Sequence, residues 1–237
     1  LFSATMPPKI RQLANQILTE PETINIAISK PAAGINQQAY VVYDNQKESL
    51  LQEILKNEDY QSVIIFSSTK ENVKALEKTI RKMEPSVKAF HSDLEQAERE
   101  EIMRDFKNRK LRVLIGTDIL SRGIDVEGIS LVVNYDAPPD PEDYIHRIGR
   151  TARAQKAGVA ITFINQKDQG KFARIEALMG YDVNKLPIPE QLGEGPEYNP
   201  EANKKFEKKP FKPGGQNRKG GFRRNGNNRG NNQNKKQ

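Results

Sequence analysis

The chain has 237 residues, with 38 lysines and arginines against 31 aspartates and glutamates, so its formal net charge is +7 at pH 7. It contains no cysteine, which excludes a disulfide framework and thiolate metal sites and is compatible with a reducing compartment. No apolar stretch approaches the ~20 residues that a membrane helix needs, so we expect a cytoplasmic protein without a membrane partner.

The first 28 residues resemble the end of a domain more than the start of one. Residues 7–18 have the apolar spacing of an amphipathic helix, and Ile24–Ile28 is typical of a strand. The segment 29–37, which contains a proline and a glycine, is typical of a linker. Because the chain begins with Leu1 and not with Met, we expect it to be a fragment of a longer protein.

From Gln38 to about Met179 the sequence alternates short β-rich runs with segments of helical apolar spacing. Continuous aliphatic runs indicate strands that are buried on both faces of a sheet, which is typical of parallel sheets covered by helices. This order predicts an α/β domain with a parallel β-sheet flanked by helices. The predicted strands are Gln38–Tyr43, Ser62–Phe66, Val87–Phe90, Arg112–Gly116, Leu131–Asn134 and Val159–Ile164. The helix positions predicted to face the core include Val73, Leu76, Ile80, Met83, Phe172, Ile175 and Leu178.

The end of the chain, residues 188–237, differs in composition from the rest. Residues 201–237 hold 12 basic and 2 acidic side chains, a net charge of +10, whereas residues 1–200 hold 26 basic and 29 acidic ones, a net charge of −3. This tail has no periodic apolar face to offset an ordering cost of roughly 1–2 kcal/mol per residue, so we expect it to be disordered. Its phenylalanines lie among the cations, which favours a nucleic-acid-binding arm over a merely solubilising end.

The segment YIHRIGRTARA, residues 144–154, concentrates positive charge at His146, Arg147, Arg150 and Arg153. The planar guanidinium group presents fixed donors to phosphate oxygens, so this spacing favours a phosphate site. The alternative is an exposed basic helix end that pairs with neighbouring carboxylates.

The segment GTDILSRGIDV, residues 116–126, directly follows a predicted strand. Ligands of open α/β sheets collect beyond the carboxyl ends of the strands, where this loop must lie. Gly123 permits close backbone approach, Thr117 offers a hydroxyl group to a phosphate, and Asp125 can accept a hydrogen bond from a ribose. The alternative is that Asp118 and Asp125 only cap the loop.

Together with LFSATMP, VIIFSSTK, HSDLEQAER and VVNYDAP, these two segments resemble the C-terminal half of DEAD-box ATP-dependent RNA helicases, in that family's order and spacing. The resemblance implies an α/β, RecA-like fold in four parts. Residues 1–28 would be the remnant of a first RecA-like lobe, 29–37 a linker, 38–187 the second RecA-like lobe, and 188–237 a disordered basic RNA-binding tail.

The resemblance also implies roles for individual side chains. Arginine fingers that reach the γ-phosphate of ATP would be Arg150 and Arg153, and the nucleotide would also meet Gly123 and Asp125. Coupling between the nucleotide and RNA sites would involve Ser3, Thr5 and His146. The RNA backbone would be bound by Thr69, Ser92, Asp93, Gln96, Arg99, Thr117 and Arg122. Contacts of this kind imply RNA recognition without sequence specificity.

Two positions depart from the family pattern, which commonly has glycine where this chain has Ser92 and Ala152. A side chain at position 92 would crowd the close approach of a backbone amide to a phosphate, although the serine hydroxyl group can also donate. At position 152 the change adds one methyl group, and we expect no loss of function.

The sequence contains neither a GxxxxGK[ST] phosphate loop nor an Asp-Glu-Ala-Asp segment. We therefore expect ATP and Mg²⁺ to be held mainly by an absent first lobe, and this chain alone to be inactive. The complete protein would be an RNA-dependent ATPase that separates duplexes, with ribonucleoprotein or RNA-decay partners. One alternative is a non-catalytic RNA-binding or annealing module that acts through the tail. Another is a DNA translocase, against which His146 argues, because related translocases usually have Gln there.

Overall fold

The computed structural model describes residues 8–19, 22, 24, 31, 34–120, 126, 128–151 and 158–201. Predictions for the first seven residues, for the strand at 24–28, for Ala152 and for the chain beyond residue 201 lie outside these ranges. The strands are β1 (Ile35–Val41), β2 (Val63–Phe66), β3 (Val87–Phe90), β4 (Val113–Gly116), β5 (Leu131–Asn134), β6 (Gly158–Ile164) and β7 (Asn184–Leu186). The helices are α1 (Pro8–Ile17), α2 (Lys47–Leu55), α3 (Lys70–Ile80), α4 (Gln96–Lys107), α5 (Pro141–Ile148) and α6 (Gln169–Met179), and a 3₁₀ turn covers Glu190–Leu192.

The seven strands form one sheet in the order β3-β4-β2-β5-β6-β1-β7, and each pair of neighbours is parallel. The predicted α/β architecture, a parallel sheet flanked by helices, is therefore confirmed. All six predicted strands are present, with ends that differ by up to three residues. The seventh, β7, was missed because three residues of mixed polarity carry no strand signal. None of the helices within the described ranges is long and apolar enough to cross a membrane.

The linker prediction for residues 29–37 needs a correction at its end, because β1 already begins at Ile35. Ile35 pairs in register with Gly158, and the pairing continues without a break to Val41 and Ile164. The first half of β1 is rich in Asn and Gln. Because these side chains are polar, the sequence pattern did not predict the start of β1, which is held by backbone hydrogen bonds and not by an apolar run.

Side chains alternate between the two faces of the sheet, and each face has its own helices. Val63 and Ile65 belong to a cluster that α2 and α3 cover, whereas Ile64 and Phe66 contact a second cluster beneath α4. A third cluster packs α5 and α6 over β6 and β1. All four β2 side chains are fully buried, as the continuous apolar run predicted.

Two helix positions that were predicted to face the core are exposed. Met83 is 40% exposed because α3 ends at Ile80, and Leu178 is also 40% exposed because Met179 takes the buried position at the end of α6. At both places the last turn of the helix departs from the periodicity of the preceding turns.

Residues 188–201, which we call the strap, lie against the domain, so the predicted start of the tail at residue 188 is too early. Ile188 and Leu192 pack against the cluster beneath α2 and α3. Gln46 donates from its side-chain amide to the carbonyl oxygens of Leu192 and Glu194, at 2.8 and 3.0 Å. At Gly195 the strap passes so close to β1 that a β-carbon would collide with a backbone carbonyl group.

The second half of the strap is held by α6. The Tyr198 hydroxyl group donates to Glu176 at 2.6 Å, and the same buried carboxylate accepts from the backbone amide of Val183 at 2.8 Å. The side chain of Gln169 donates to the carbonyl oxygen of Glu197 and accepts from the backbone amide of Asn199, both at 2.7 Å. Because no apolar period marks these contacts, composition alone placed the strap with the tail.

We predict that the strap stabilises the domain. Truncation after Pro187 should lower the free energy of unfolding by about 2–4 kcal/mol, because it removes two partly buried aliphatic side chains and several hydrogen bonds. Truncation after Glu201 should leave it unchanged. Urea unfolding followed by circular dichroism measures the free energy of unfolding of both truncated chains. Equal values would show that the strap contacts the domain without stabilising it.

Candidate nucleic-acid and nucleotide site

Because every strand pair is parallel, the carboxyl ends of the strands meet at one edge of the sheet, where ligands of such folds bind. Thr69 follows β2, Ser92 and Asp93 follow β3, and Thr117 follows β4. The order β3-β4-β2 makes these three loops neighbours. The structure therefore brings most of the predicted RNA-contacting residues to one part of this edge.

The ends of β3 and β4 approach each other closely at Gly116. A β-carbon there would lie 2.9 Å from the carbonyl oxygen of Phe90 and would overlap the side chain of Leu120. Glycine at this position thus lets Thr117 follow β4 directly beside the loop that carries Ser92.

The loop between β2 and α3 is fixed by one carboxylate. Asp136 accepts hydrogen bonds from the Ser67 hydroxyl group and the Ser68 backbone amide, both at 2.8 Å. Burial opposes ionisation of Asp136, but the ammonium group of buried Lys47 at 3.0 Å and these hydrogen bonds hold its pKa below the ordinary value. Thr69 ends the loop as the N-cap of α3. Sequence reasoning missed Asp136 and Lys47, because only the fold brings them together.

Asp93 lies between two lysines of α3. Its two oxygens accept from Lys70 at 2.9 Å and from Lys74 at 2.8 Å. These hydrogen bonds from Lys74 and Lys70 hold the pKa of Asp93 far below its usual range. The carboxylate predicted to contact RNA is therefore engaged by cations of its own lobe.

Ser92 and Arg99 form the next part of this edge. A terminal nitrogen of Arg99 donates to the carbonyl oxygen of Ser92 at 2.8 Å. Arg99 Nε and His91 Nδ1 are buried and have no hydrogen-bond partner; a third such side-chain atom in the described part of the chain is Ser62 Oγ. Ser92 is not among the described non-glycine residues with a positive φ, so serine causes no backbone strain where the family commonly has glycine. Gln96, the first residue of α4, donates to Glu100 at 2.8 Å.

Arg147 does not join a converging set of exposed guanidinium groups, as the spacing of the basic segment suggested. It is 1% exposed, and its Nε and Nη2 atoms each lie 2.7 Å from Oδ1 of Asp118. A third nitrogen donates to the Asp136 carbonyl oxygen at 3.0 Å and to the Asn134 side chain at 3.3 Å, and the guanidinium group lies 5.1 Å from the centre of the Phe66 ring. Arg147 thus binds the lobe together, and Asp118 is its partner and not a simple loop cap.

Of the predicted nucleotide and coupling residues, Arg150 and His146 lie within the described chain. Arg150 is partly exposed just after α5, and its Nε donates to the carbonyl oxygen of His146 at 3.2 Å. The others, Ser3, Thr5, Gly123, Asp125 and Arg153, lie outside the described residues, as does Arg122, which was predicted to bind RNA. Among the residues that are described, no group of three or more His, Asp or Glu side chains could hold a metal ion.

Comparison with known proteins defines the class. The helicase conserved C-terminal domain matches residues 46–155, which include β2 to β5 and α5. The chain is 38% identical over 190 residues to the DEAD-box ATP-dependent RNA helicase CshA of Geobacillus kaustophilus, covering 80% of this chain and 41% of that protein. The structure titled "S. cerevisiae Dbp5 bound to RNA and ADP BeF3" has a TM-score of 0.71 and 32% identity over 81% of this chain and 51% of the other.

A third comparison involves a protein of similar extent. The structure of the C-terminal domain of the DEAD-box protein Dbp5 has a TM-score of 0.59 and 32% identity, and covers 69% of this chain and 92% of that one. The chain therefore belongs to the DEAD-box helicase family, and its RecA-like fold is confirmed. It spans 36–41% of the length of the first curated relatives that it matches.

We predict that Arg147→Ala destabilises the lobe by about 3–5 kcal/mol, because it breaks a buried ion pair and opens a cavity beside Phe66. Arg147→Met, which restores volume without charge, should cost less. Arg174→Ala on the exposed surface of α6 is the control and should stay within about 0.5 kcal/mol of the parent. Denaturant unfolding measures all three, and parental stability of Arg147→Ala would contradict the structural role.

Proposed function

We propose that this chain is the C-terminal lobe of an ATP-dependent RNA helicase that couples ATP binding and hydrolysis to RNA duplex unwinding. The observation that carries the proposal is the gathering of polar side chains at one carboxyl edge, in loops that a network of buried ions holds in place. The RNA-binding residues proposed there are Thr69, Ser92, Asp93, Gln96, Arg99 and Thr117, together with Arg122.

The RNA contacts are made to phosphates and sugars. Hydroxyl groups, backbone amides and a guanidinium group line the loops after β2, β3 and β4, and such donors recognise a backbone without reading bases. The two unpaired buried nitrogen atoms beside Ser92 support a ligand at this place, because buried polar groups are normally paired. The relative that was solved with RNA and ADP BeF3 supports the same substrate class.

ATP is bound at the cleft between this lobe and a first lobe, and the first lobe holds most of the nucleotide and the Mg²⁺. From this lobe Arg150 and Arg153 act as arginine fingers, which stabilise charge on the transferring phosphoryl group. Gly123 and Asp125 meet the phosphate and ribose side of the nucleotide. ATP and RNA together close the cleft, and hydrolysis followed by release opens it again.

Communication between the two ligands runs through residues at the cleft. Ser3 and Thr5 belong to the first lobe, and His146 lies in α5, where its carbonyl oxygen accepts a hydrogen bond from the Arg150 side chain. Ribonucleoprotein or RNA-decay partners remain a prediction. A non-catalytic RNA-binding module that acts through the tail is the alternative function, and it would need no finger.

We predict that the 237-residue chain alone shows no RNA-stimulated ATP hydrolysis, whereas the complete two-lobe protein does. In the complete protein Arg150→Ala should lower the turnover number about 10³- to 10⁵-fold, because the negative charge that develops on the phosphoryl group is no longer stabilised by the guanidinium group. RNA binding in the absence of ATP should survive. Arg174→Ala is the matched control, and unimpaired turnover by Arg150→Ala would refute the finger assignment.

The basic tail should add affinity through counterion release. Removal of residues 202–237 should weaken binding to single-stranded RNA and flatten its salt dependence by about 0.7 in log–log slope for each phosphate that the tail neutralises. Fluorescence anisotropy at a series of KCl concentrations measures this slope. An unchanged slope would mean that the tail does not bind RNA.

A further inference from the structure

We propose that Lys70 and Lys74 form a phosphate-binding subsite for the RNA backbone, and that Asp93 occupies this subsite when no RNA is bound. This inference rests on the proposed RNA-binding function and names two further residues of the same site. The three side chains are called the ion triad.

The geometry of the ion triad is that of a filled anion site. Lys70 and Lys74 are one helical turn apart, so their side chains project from the same face at the start of α3. Each ammonium group takes a different carboxylate oxygen of Asp93, at 2.9 and 2.8 Å. Two ammonium groups that hold two oxygens of one group could hold two non-bridging oxygens of a phosphate in the same way.

The place of the ion triad favours RNA over other phosphates. Lys70 directly follows Thr69, and Asp93 directly follows Ser92, so the triad joins two of the loops proposed to bind the RNA backbone. Ser92, the neighbour of Asp93 in the chain, accepts a hydrogen bond from Arg99 through its carbonyl oxygen, at 2.8 Å. A phosphate that replaced the carboxylate would meet hydroxyl groups and a guanidinium group already directed to this edge.

The triad is accessible and can exchange its anion. The side chains of Lys70, Lys74 and Asp93 are 44%, 48% and 39% exposed, so replacing the carboxylate requires no opening of the core. Exposed ion pairs contribute little to stability because solvent and salt screen them. A phosphate that is held in place by neighbouring RNA contacts can therefore compete with Asp93.

This inference replaces the direct RNA contact proposed above for Asp93: the carboxylate competes with a phosphate of the RNA for the two lysines and does not bind the strand itself. While Asp93 neutralises the two lysines, the lysines hold few counterions. RNA binding then releases few counterions and gains little affinity from their release. Asp93→Asn should leave both lysines with counterions, which RNA would release. The substitution should therefore tighten RNA binding and make its salt dependence steeper.

The test compares variants of the complete 237-residue chain with a single-stranded RNA oligonucleotide by anisotropy at several KCl concentrations. Asp93→Asn should tighten binding roughly three- to tenfold at low salt and steepen the log–log slope by up to about 1.4, or two contacts of 0.7 each. Adding Lys70→Gln and Lys74→Gln to Asp93→Asn should abolish the gain. The matched control is Glu58→Gln, which changes the charge by the same amount at an exposed position. Glu58 precedes β2 and so lies at the opposite edge of the sheet, where the strands begin. This substitution should leave the slope unchanged.

Two outcomes would overturn the inference and can be told apart. If Arg99→Gln weakens binding but Asp93→Asn weakens it too or leaves it unchanged, the RNA face exists and the ion triad only fastens α3 to the next loop. If Arg99→Gln, Asp93→Asn and the lysine pair all leave binding unchanged, RNA is held by the tail and the proposed RNA face itself is wrong. Circular dichroism of each variant excludes unfolding as the cause.

Discussion

One buried guanidinium group, that of Arg147, ties the carboxyl edge of the sheet to α5. A buried cation is costly unless its charge and its donors are all satisfied, so each partner must be placed accurately. Those partners come from the loop after β4 (Asp118), from the end of β5 (Asn134 and the Asp136 carbonyl oxygen) and from the Phe66 ring on β2. Three neighbouring strands thus meet at one side chain. The loops proposed to bind RNA inherit their positions from this arrangement, because Ser67 and Thr117 directly adjoin these partners in the chain.

The electrostatics of the lobe differ from what the net charge of the chain suggests. Residues 1–200 carry a net charge of −3, and the lysines nearest the RNA face are neutralised by Asp93. Such a surface gains specificity from hydrogen-bond geometry and little affinity from long-range attraction. The net charge of +10 in residues 201–237 is suited to supplying that attraction. Under the proposed function, this division would allow the lobe to release RNA when the cleft opens, while the tail would keep the strand nearby.

Sequence patterns predicted what depends on local composition and order. Continuous apolar runs predicted β2, β4, β5 and β6, because strands buried on both faces need such runs, and motif order identified the family. The strap and the first half of β1 were missed, since backbone and amide hydrogen bonds hold them and leave no apolar period. The role of Arg147 was also missed. Four basic residues in one segment look equivalent in sequence, and only the fold shows that Asp118 and Phe66 surround one of them whereas Arg150 remains partly exposed.

The contrast between Arg147 and Arg150 bears on how the lobe could link its two ligands. The two residues are three positions apart, and α5 is a short helix of eight residues that ends at Ile148, two residues before Arg150. Arg147 attaches the C-terminal end of this helix to Asp118, the residue after Thr117 at the proposed RNA face. Just beyond the same end, the Arg150 side chain donates to the carbonyl oxygen of His146. Under the proposed function, a change in the loop after β4 on RNA binding would therefore reposition Arg150, the proposed finger, without any side chain of the core having to repack. A closely packed lobe can transmit a small displacement in this way because its interior shifts between discrete arrangements and does not deform continuously.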